Sequence, residues 1–431
     1  MSVPAELAIA GPRPLRGKIR VPGDKGISHR ALLFAAMAEG RSRIVGLAGG
    51  GDVARTRLLL RDVGVHLTSA GSAVTVNGHG VESLTEAGHV LDCGNSGTTM
   101  RTAAGLLAGR PFLSVLAGDA SLMQRPMARV VEPLRAMGAR VDARAGGTLP
   151  PLVVRGGDLV GVSLETPVAS AQVKTALVLA GLQARGTTEI TEPARSRDHT
   201  ERMLQALGAP VSVDGCTLRV SAGAPTPFEL DVPGDPSSAA FWVAGAAITP
   251  GSDIEVVGVS CNPTRLAFVD VLRRMGASID VEITGEHLGE PVGDIRVVAS
   301  ALDGTDIAGD EIPLVQDELP VLAVAAAFAD GVTTISDAGE LRVKESDRIA
   351  TVEALLGAIG VGVESAPDAL VVRGGRPQPA RLSSHDDHRI AMAAAIAANA
   401  IEGESLIGGW EATAVSYPDF GDDLAMLTGH V

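Results

Sequence analysis

VPGDKGISHRALLFAAMAEG, residues 21–40, and its near copy VPGDPSSAAFWVAGAAITPG, residues 232–251, decide the fold. Each begins with a Pro/Gly turn and an Asp whose side chain can accept the first unpaired N–H groups of a helix. Each continues into an Ala-rich apolar run and stops at Gly, where a chain can turn without a Cβ penalty. Because these runs carry almost no charge, they predict helices buried within a lobe rather than amphipathic surface helices.

Four further segments share the pattern: Gly94–Gly109, Ala169–Gly186, Asp317–Gly331 and Asp387–Gly403. The six segments lie roughly 65–80 residues apart, a period that marks a repeated supersecondary unit. After five of the six comes a second helical pattern ending in Gly and then a strand-like alternation, as in VVEPLRAMGARVDA, RMLQALGAPVSVD, FVDVLRRMGASIDVE and VEALLGAIGVGVE. Gly138, Gly208, Gly276 and Gly360 stand where a helix ends on a left-handed residue. Short β-rich runs such as SDIEVVGVS complete the unit, which reads β-α-β-α-β-β six times over. The expected class is α/β with two lobes. The two copies of the VPGD turn mark the crossovers, placing an inner lobe at 22–232 and an outer lobe at 1–21 plus 233–431.

Composition narrows the chemistry. The chain has 431 residues, of which 45% are hydrophobic and 20% charged, so it is globular and long enough for more than one core. A net charge of −15 argues against a nucleic-acid surface, which needs clustered Lys and Arg. No stretch reaches about 18 uninterrupted apolar residues, and the N-terminus has no signal-peptide pattern, so no membrane association is expected. Cys93, Cys216 and Cys261 lack C-x-x-C spacing, which points to a reducing cytoplasm rather than to disulfides or zinc.

Anions must then be handled locally, and several helix starts are suited to it. GDKGISHR puts Lys25, Ser28 and Arg30 where free N–H groups and the helix dipole already favour negative charge. Only four lysines occur in the whole chain, so one inside a Gly-rich cap invites a functional reading beside that of a solvated loop charge. CGNSGTTMR, residues 93–101, repeats the design and reads either as a plain cap or as a ligand turn. QRPM contributes Arg125, and LRVKESDR groups Arg342, Lys344, Glu345, Asp347 and Arg348. HDDHRIAMA, residues 385–393, superficially resembles a metal site, but its ligand types are adjacent rather than at helical spacing and Arg389 would repel a cation. No metal is expected there. Asp317 and Glu318 precede an uncharged helix, where a carboxylate is either a cap or, partly buried, a general base.

GDKGISHRA, GNSGTTMR, RPM, ASAQVKTA, SRDHTERML, DELP, LRVKESDR, DHRIAMA and YPDF follow one another across nearly the whole chain. In this the sequence resembles the 3-phosphoshikimate 1-carboxyvinyltransferases, or EPSP synthases. The resemblance implies an inside-out α/β barrel, the enolpyruvyl transferase fold, with three repeats per lobe and the active site in the cleft between the lobes. It implies that Lys25, Gly26, Arg30, Ser170, Gln172, Ser196, Asp317 and Lys344 meet shikimate 3-phosphate, and that Lys25, Gly97, Arg125, Gln172, Arg348 and Arg389 meet phosphoenolpyruvate. Asp317, Glu345 and Lys25 would carry the proton transfers, with no cofactor, in a cytoplasmic monomer of the shikimate pathway that glyphosate inhibits. The sequence departs from the family pattern at Gly26 and Ala171, where family members carry Ser, at Met123 and Gln124, which replace residues often basic, and at Val415, where some members carry Lys. A missing hydroxyl at Gly26 is expected to cost roughly 2- to 13-fold in acceptor affinity. Two enzyme alternatives share the reaction: a UDP-N-acetylglucosamine enolpyruvyl transferase, which normally carries a loop Cys that GDASLMQRPM lacks, and a relative using a modified shikimate-like acceptor in a specialised pathway. A third alternative is a ring-forming repeat scaffold such as a DNA clamp, which the net charge of −15 disfavours.

Overall fold

A computed structural model describes residues 3–429. The chain divides into two compact units, one formed by Gly23–Val232 with Glu286–Glu290 and the other by the remaining described residues. Each has its own hydrophobic core.

The first unit contains three four-stranded sheets of identical plan, a parallel pair followed by an antiparallel hairpin. In the second of them, Leu91–Asp92 runs parallel to Leu113–Ala117, which pairs with Leu149–Arg155 and through it with Arg140–Ala143. The helices Lys25–Met37, Gly97–Leu107 and Ala171–Gly181 each precede the second strand of a sheet. The first sheet takes its leading strand from the far end of the unit, where Glu229–Asp231 pairs parallel with Glu39–Val45. The second unit repeats the plan with the helices Pro236–Ile248, Leu319–Ala327 and His388–Ala400, and there Arg16–Ile19 supplies the leading strand beside Asp253–Ser260.

The sixth repeat differs from the full unit expected. Its sheet has three strands, Arg381–Ser383, Gly403–Gly408 and Glu6–Gly11, and the chain closes with the helix Phe420–Leu427 in place of a hairpin. The strand Glu6–Gly11 pairs antiparallel with Gly403–Gly408 and covers the edge that the missing hairpin would have covered.

Local chemistry accounts for the repeated helices. Asp24 accepts the Ile27 N–H (2.8 Å), Asp235 the Ser237 N–H (2.8 Å) and Asp387 the Arg389 N–H (2.9 Å), while Ser96 accepts that of Thr99 (3.1 Å). A side-chain cap stabilises a helix by about 1 kcal/mol. The stop glycines adopt the required left-handed geometry, with φ of +105° at Gly138, +72° at Gly208, +103° at Gly276 and +79° at Gly360. The six Ala-rich helices are largely buried, and Pro236–Ile248 is buried along its whole length. Small side chains let them approach closely: a methyl group at Gly105 would overlap the Ala176 backbone carbonyl. Gly105→Val is therefore expected to lower unfolding free energy by about 3 kcal/mol, the upper end of ordinary overpacking, because backbone cannot move aside as a side chain can. A urea titration checks this.

The few aromatic residues concentrate in the second unit. Trp242 stacks on Phe420 (4.3 Å between ring centres, 14°), with Tyr417 and Trp410 edge-on to Phe420. Tyr417 and Phe420 belong to the YPDF motif, which therefore serves packing.

Candidate active site

The residues expected to carry chemistry fall into two groups, one in each unit. In the first unit, Lys25 is the opening residue of its helix, and its Nζ lies 3.0 Å from Asp52 Oδ2 on the helix Gly51–Asp62. Arg30, one turn further, is committed to the protein through all three guanidinium nitrogens. Nε donates to Thr200 Oγ1 (2.7 Å), Nη1 to the Gly26 carbonyl (2.9 Å) and Nη2 to Thr175 Oγ1 (2.7 Å). Burial pulls its pKa down to about 10, against the opposing fields of Glu201 and Asp24. Arg30 thus ties the starts of three helices together.

Gly26 sits in a tighter place than its sequence context suggests. A Cβ there would lie 3.1 Å from the capping Asp24 Oδ1 and 3.4 Å from Arg30 Nη1. A serine at this position has to share the cap's space.

Gly97 opens the next helix, with Ser96 as its cap. A Cβ on Gly97 would fall 2.8 Å from Arg101 Nη1 and 3.5 Å from Arg125 Nη1, so the missing side chain lets two guanidiniums approach the helix start. Arg125 Nη2 donates to Asn95 Oδ1 (2.6 Å), and Arg101 Nη1 to Gln172 Oε1 (2.5 Å). Gln172 Nε2 in turn donates to Thr98 Oγ1 (2.9 Å), bringing Gly97, Arg125 and Gln172 into one neighbourhood. Behind it runs a chain of buried polar contacts: His29 Nδ1 to Thr56 Oγ1 (2.7 Å), Thr56 to Thr99 Oγ1 (2.7 Å) and Thr99 to Ser96 Oγ (2.8 Å). Burial drives the His29 pKa down to about 3, so the ring is neutral and acts as a spacer between helices.

In the second unit four of the expected residues surround one another. Arg348, 1% exposed, bonds through Nε to Asp387 Oδ2 (2.9 Å), through Nη2 to Glu345 Oε2 (2.7 Å) and through Nη1 to Asp317 Oδ1 (3.4 Å). Burial alone lowers its pKa, but Asp387, Glu345 and Asp317 together outweigh burial and raise it above the ordinary arginine value. Arg389 Nη1 donates to the Asp317 backbone carbonyl (3.0 Å), and its Nη2 lies 3.5 Å from the Asp317 carboxylate. Lys344 Nζ donates to Gln316 Oε1 (2.8 Å). Glu318 stands at the N-cap of its helix but makes no side-chain capping bond, while the Asp317 carboxylate faces the two arginines.

Four residues carry no distinguishing signal in the sequence. Arg101 stands in its motif with nothing to separate it from the helix cap around it. Asp52, Asp387 and Glu192 each carry a carboxylate onto an expected ligand group, Asp52 to Lys25, Asp387 to Arg348 and Glu192 to Ser196. Asp387 is the cap that its position implies, and nothing beside it in the chain announces the partner of its second oxygen. Two successive non-glycine residues with positive φ, His385 at +51° and Asp386 at +59°, lead into it, a backbone that most residues avoid.

Comparison with known proteins identifies the family. Residues 9–424 match the family model for EPSP synthase (3-phosphoshikimate 1-carboxyvinyltransferase). The 3-phosphoshikimate 1-carboxyvinyltransferase of Synechococcus sp. (strain JA-3-3Ab) is 51% identical over 96% of this chain and 95% of its own. The EPSP synthase of Acinetobacter baumannii superposes with a TM-score of 0.88 at 40% identity, covering 98% of each chain. The enolpyruvyl transferase NikO from Streptomyces tendae, at 19% identity and a TM-score of 0.80, shares the fold over 99% of this chain and 98% of its own. With a match this long at this identity, the chain belongs to the EPSP synthase family.

Proposed function

We propose that the chain transfers the enolpyruvyl group of phosphoenolpyruvate to the 5-hydroxyl of shikimate 3-phosphate, releasing phosphate, as a step of the shikimate pathway. The observation that carries this reading is the placement of Asp317 and Glu345 against Arg348 and Arg389. Two guanidiniums suit the two anionic ends of phosphoenolpyruvate, and two carboxylates suit the two proton transfers. Asp317 takes the hydroxyl proton as oxygen bonds to C2, and C3 receives a proton with Glu345 and Lys25 as its carriers. Loss of that C3 proton expels phosphate and restores the double bond. We assign Lys25, Gly97, Arg125 and Gln172 to phosphoenolpyruvate as well, and Lys25, Gly26, Arg30, Ser170, Gln172, Ser196, Asp317 and Lys344 to the acceptor.

GDASLMQRPM carries no cysteine of the kind associated with UDP-N-acetylglucosamine transferases, and two of the three cysteines are buried. Burial pushes the thiol pKa of Cys93 up to about 12 and that of Cys261 up to about 11, so both stay protonated at neutral pH. Among the described residues no helix is long and apolar enough to cross a membrane. We place the protein in the cytoplasm as a monomer, as the family resemblance implies, and without nucleic-acid partners, on its net charge of −15 and its lack of a basic stripe. Phosphate release from phosphoenolpyruvate with shikimate 3-phosphate, and none with UDP-N-acetylglucosamine, is the expected result; a folded protein inactive toward shikimate 3-phosphate sinks the reading.

Glyphosate is expected to compete with phosphoenolpyruvate at millimolar concentration or below. Gly97→Ala puts a methyl group 2.8 Å from Arg101 Nη1, closer than real contacts allow, so the end of that side chain must move aside. Its expected result is a phosphoenolpyruvate KM raised roughly tenfold, equivalent to about 1.4 kcal/mol. Inhibition by glyphosate, the longer molecule, should weaken by at least as much, as steady-state kinetics will show.

A further inference from the structure

Ser170 and Ser196 rest on one buried carboxylate to which the enolpyruvyl transfer assigns no part. Glu192 Oε1 accepts the Ser170 backbone N–H (3.0 Å), and Oε2 accepts the Ser196 hydroxyl (2.9 Å). Lys174 Nζ lies 2.8 Å from the same Oε2 and 2.8 Å from Glu201 Oε1, and the side chains of Lys174, Glu192 and Glu201 are 4%, 5% and 8% exposed. Burial pulls the Lys174 pKa down, and Glu201 and Glu192 more than restore it, so the clamp is charged. A buried ion cluster is a poor way to gain stability, since apolar side chains of similar volume do as well or better. Its use lies in what it orients.

Two details point toward a bound anion. Ser170 is the N-cap of the helix Ala171–Gly181, yet its side chain makes no capping bond, which leaves the helix start open to an anionic ligand. The Ser196 hydroxyl is 2.9 Å from Glu192 Oε2 and donates to it, so it presents its proton to the protein rather than outward. A phosphate binding at Ser196 takes over as acceptor of that hydroxyl. Glu192 is then still held by the Ser170 amide and Lys174.

We propose that Glu192, clamped by Lys174, is a positioning residue for the phosphate group of the acceptor, fixing Ser170 and handing the Ser196 hydroxyl to the ligand. This rests on the reading of Ser170 and Ser196 as shikimate 3-phosphate groups. The test compares shikimate 3-phosphate with unphosphorylated shikimate, which lacks the group that Glu192 serves. Glu192→Gln in the full chain is expected to raise the shikimate 3-phosphate KM about 10- to 50-fold, because the neutral amide weakens the charge-assisted hold on the Ser170 amide and Lys174 that persists in the complex. Shikimate affinity, phosphoenolpyruvate KM and kcat should stay within about threefold, because none of them involves that hold. Glu192→Asp, which keeps the charge beside Lys174 but shortens its reach to the two serines, should show the same selectivity to a smaller degree, and it decides the matter where Glu192→Gln does not fold. An unchanged ratio of the two affinities in a folded variant overturns the proposal. So does an equal loss for both ligands accompanied by a lower urea midpoint, the mark of a merely structural residue. A wild-type protein that binds neither ligand overturns the functional reading instead.

Discussion

Asp317→Asn is expected to cut kcat by about 10²-fold or more while leaving phosphoenolpyruvate binding intact or tighter. General-base catalysis contributes about 10²–10⁴-fold, and the amide keeps the shape of the side chain while losing its ability to take a proton. Its contacts to the two arginines are long, 3.4 Å to Arg348 Nη1 and 3.5 Å to Arg389 Nη2. Arg389 keeps its bond to the Asp317 backbone carbonyl at 3.0 Å, which the substitution does not touch. With one competing carboxylate gone, the two guanidiniums hold an incoming anion at least as well as before. Single-turnover phosphate release, run beside equilibrium binding of phosphoenolpyruvate, separates the two effects. Unchanged turnover would remove Asp317 as the base.

The other large effect belongs to Arg348. Its replacement by Met strands Asp387, which is 0% exposed, without the guanidinium 2.9 Å away. Breaking a buried pair from one side costs about 3–5 kcal/mol, so the urea midpoint of Arg348→Met should fall steeply. Phosphoenolpyruvate KM should rise by about 10²-fold, as expected for the loss of a charge-assisted contact. The double variant Arg348→Met/Asp387→Asn separates these outcomes: it should regain most of the stability, since no buried charge is left unpaired, and none of the substrate binding.

The pH dependence has a definite sign. In the wild type, burial alone would raise the Asp387 pKa, but Arg348 and His388 bring it below the ordinary value of 3.8. Its contribution to stability is therefore present above 3.8 and is lost as pH falls through the lower folded value. Removing Arg348 leaves burial dominant, and the stranded carboxyl can relieve its penalty by taking up a proton. The stability gap between wild type and Arg348→Met should accordingly narrow as pH is lowered from neutral toward about 4. A gap constant across that range would show that Asp387 is not the source of the loss.

Much of the architecture is legible in the chain because it is written in short-range chemistry. The caps at Asp24, Ser96, Asp235 and Asp387 and the stop glycines at 138, 208, 276 and 360 act within one or two helical turns, so their spacing alone announces the helices. The chain reads as six full units, and the sixth departs from that reading by lacking its hairpin. That Glu6–Gly11 completes the final sheet depends on a pairing across almost the entire chain. The candidate site divides in the same way. Lys25, Gly97, Asp317 and Arg348 stand out by residue type at helix starts, and the family resemblance places them in roles. The carboxylates that hold the cations cannot be found so, because an Asp at a helix start reads as a cap whether or not its other oxygen has a distant partner.

The two VPGD turns and the apolar runs behind them determined, by themselves, the repeat and the buried helices, whereas the return of Glu286–Glu290 to the first unit is not written in them. Hydrophobic periodicity and capping need only neighbouring residues, and so survive without a structure. Only the tertiary structure decided that Asp52 meets Lys25, that Asp387 holds Arg348 and that Glu192 supports two serines. A charge's partner is set by which helix starts and loops the packed core brings within a few ångströms, not by the residues beside it in the chain.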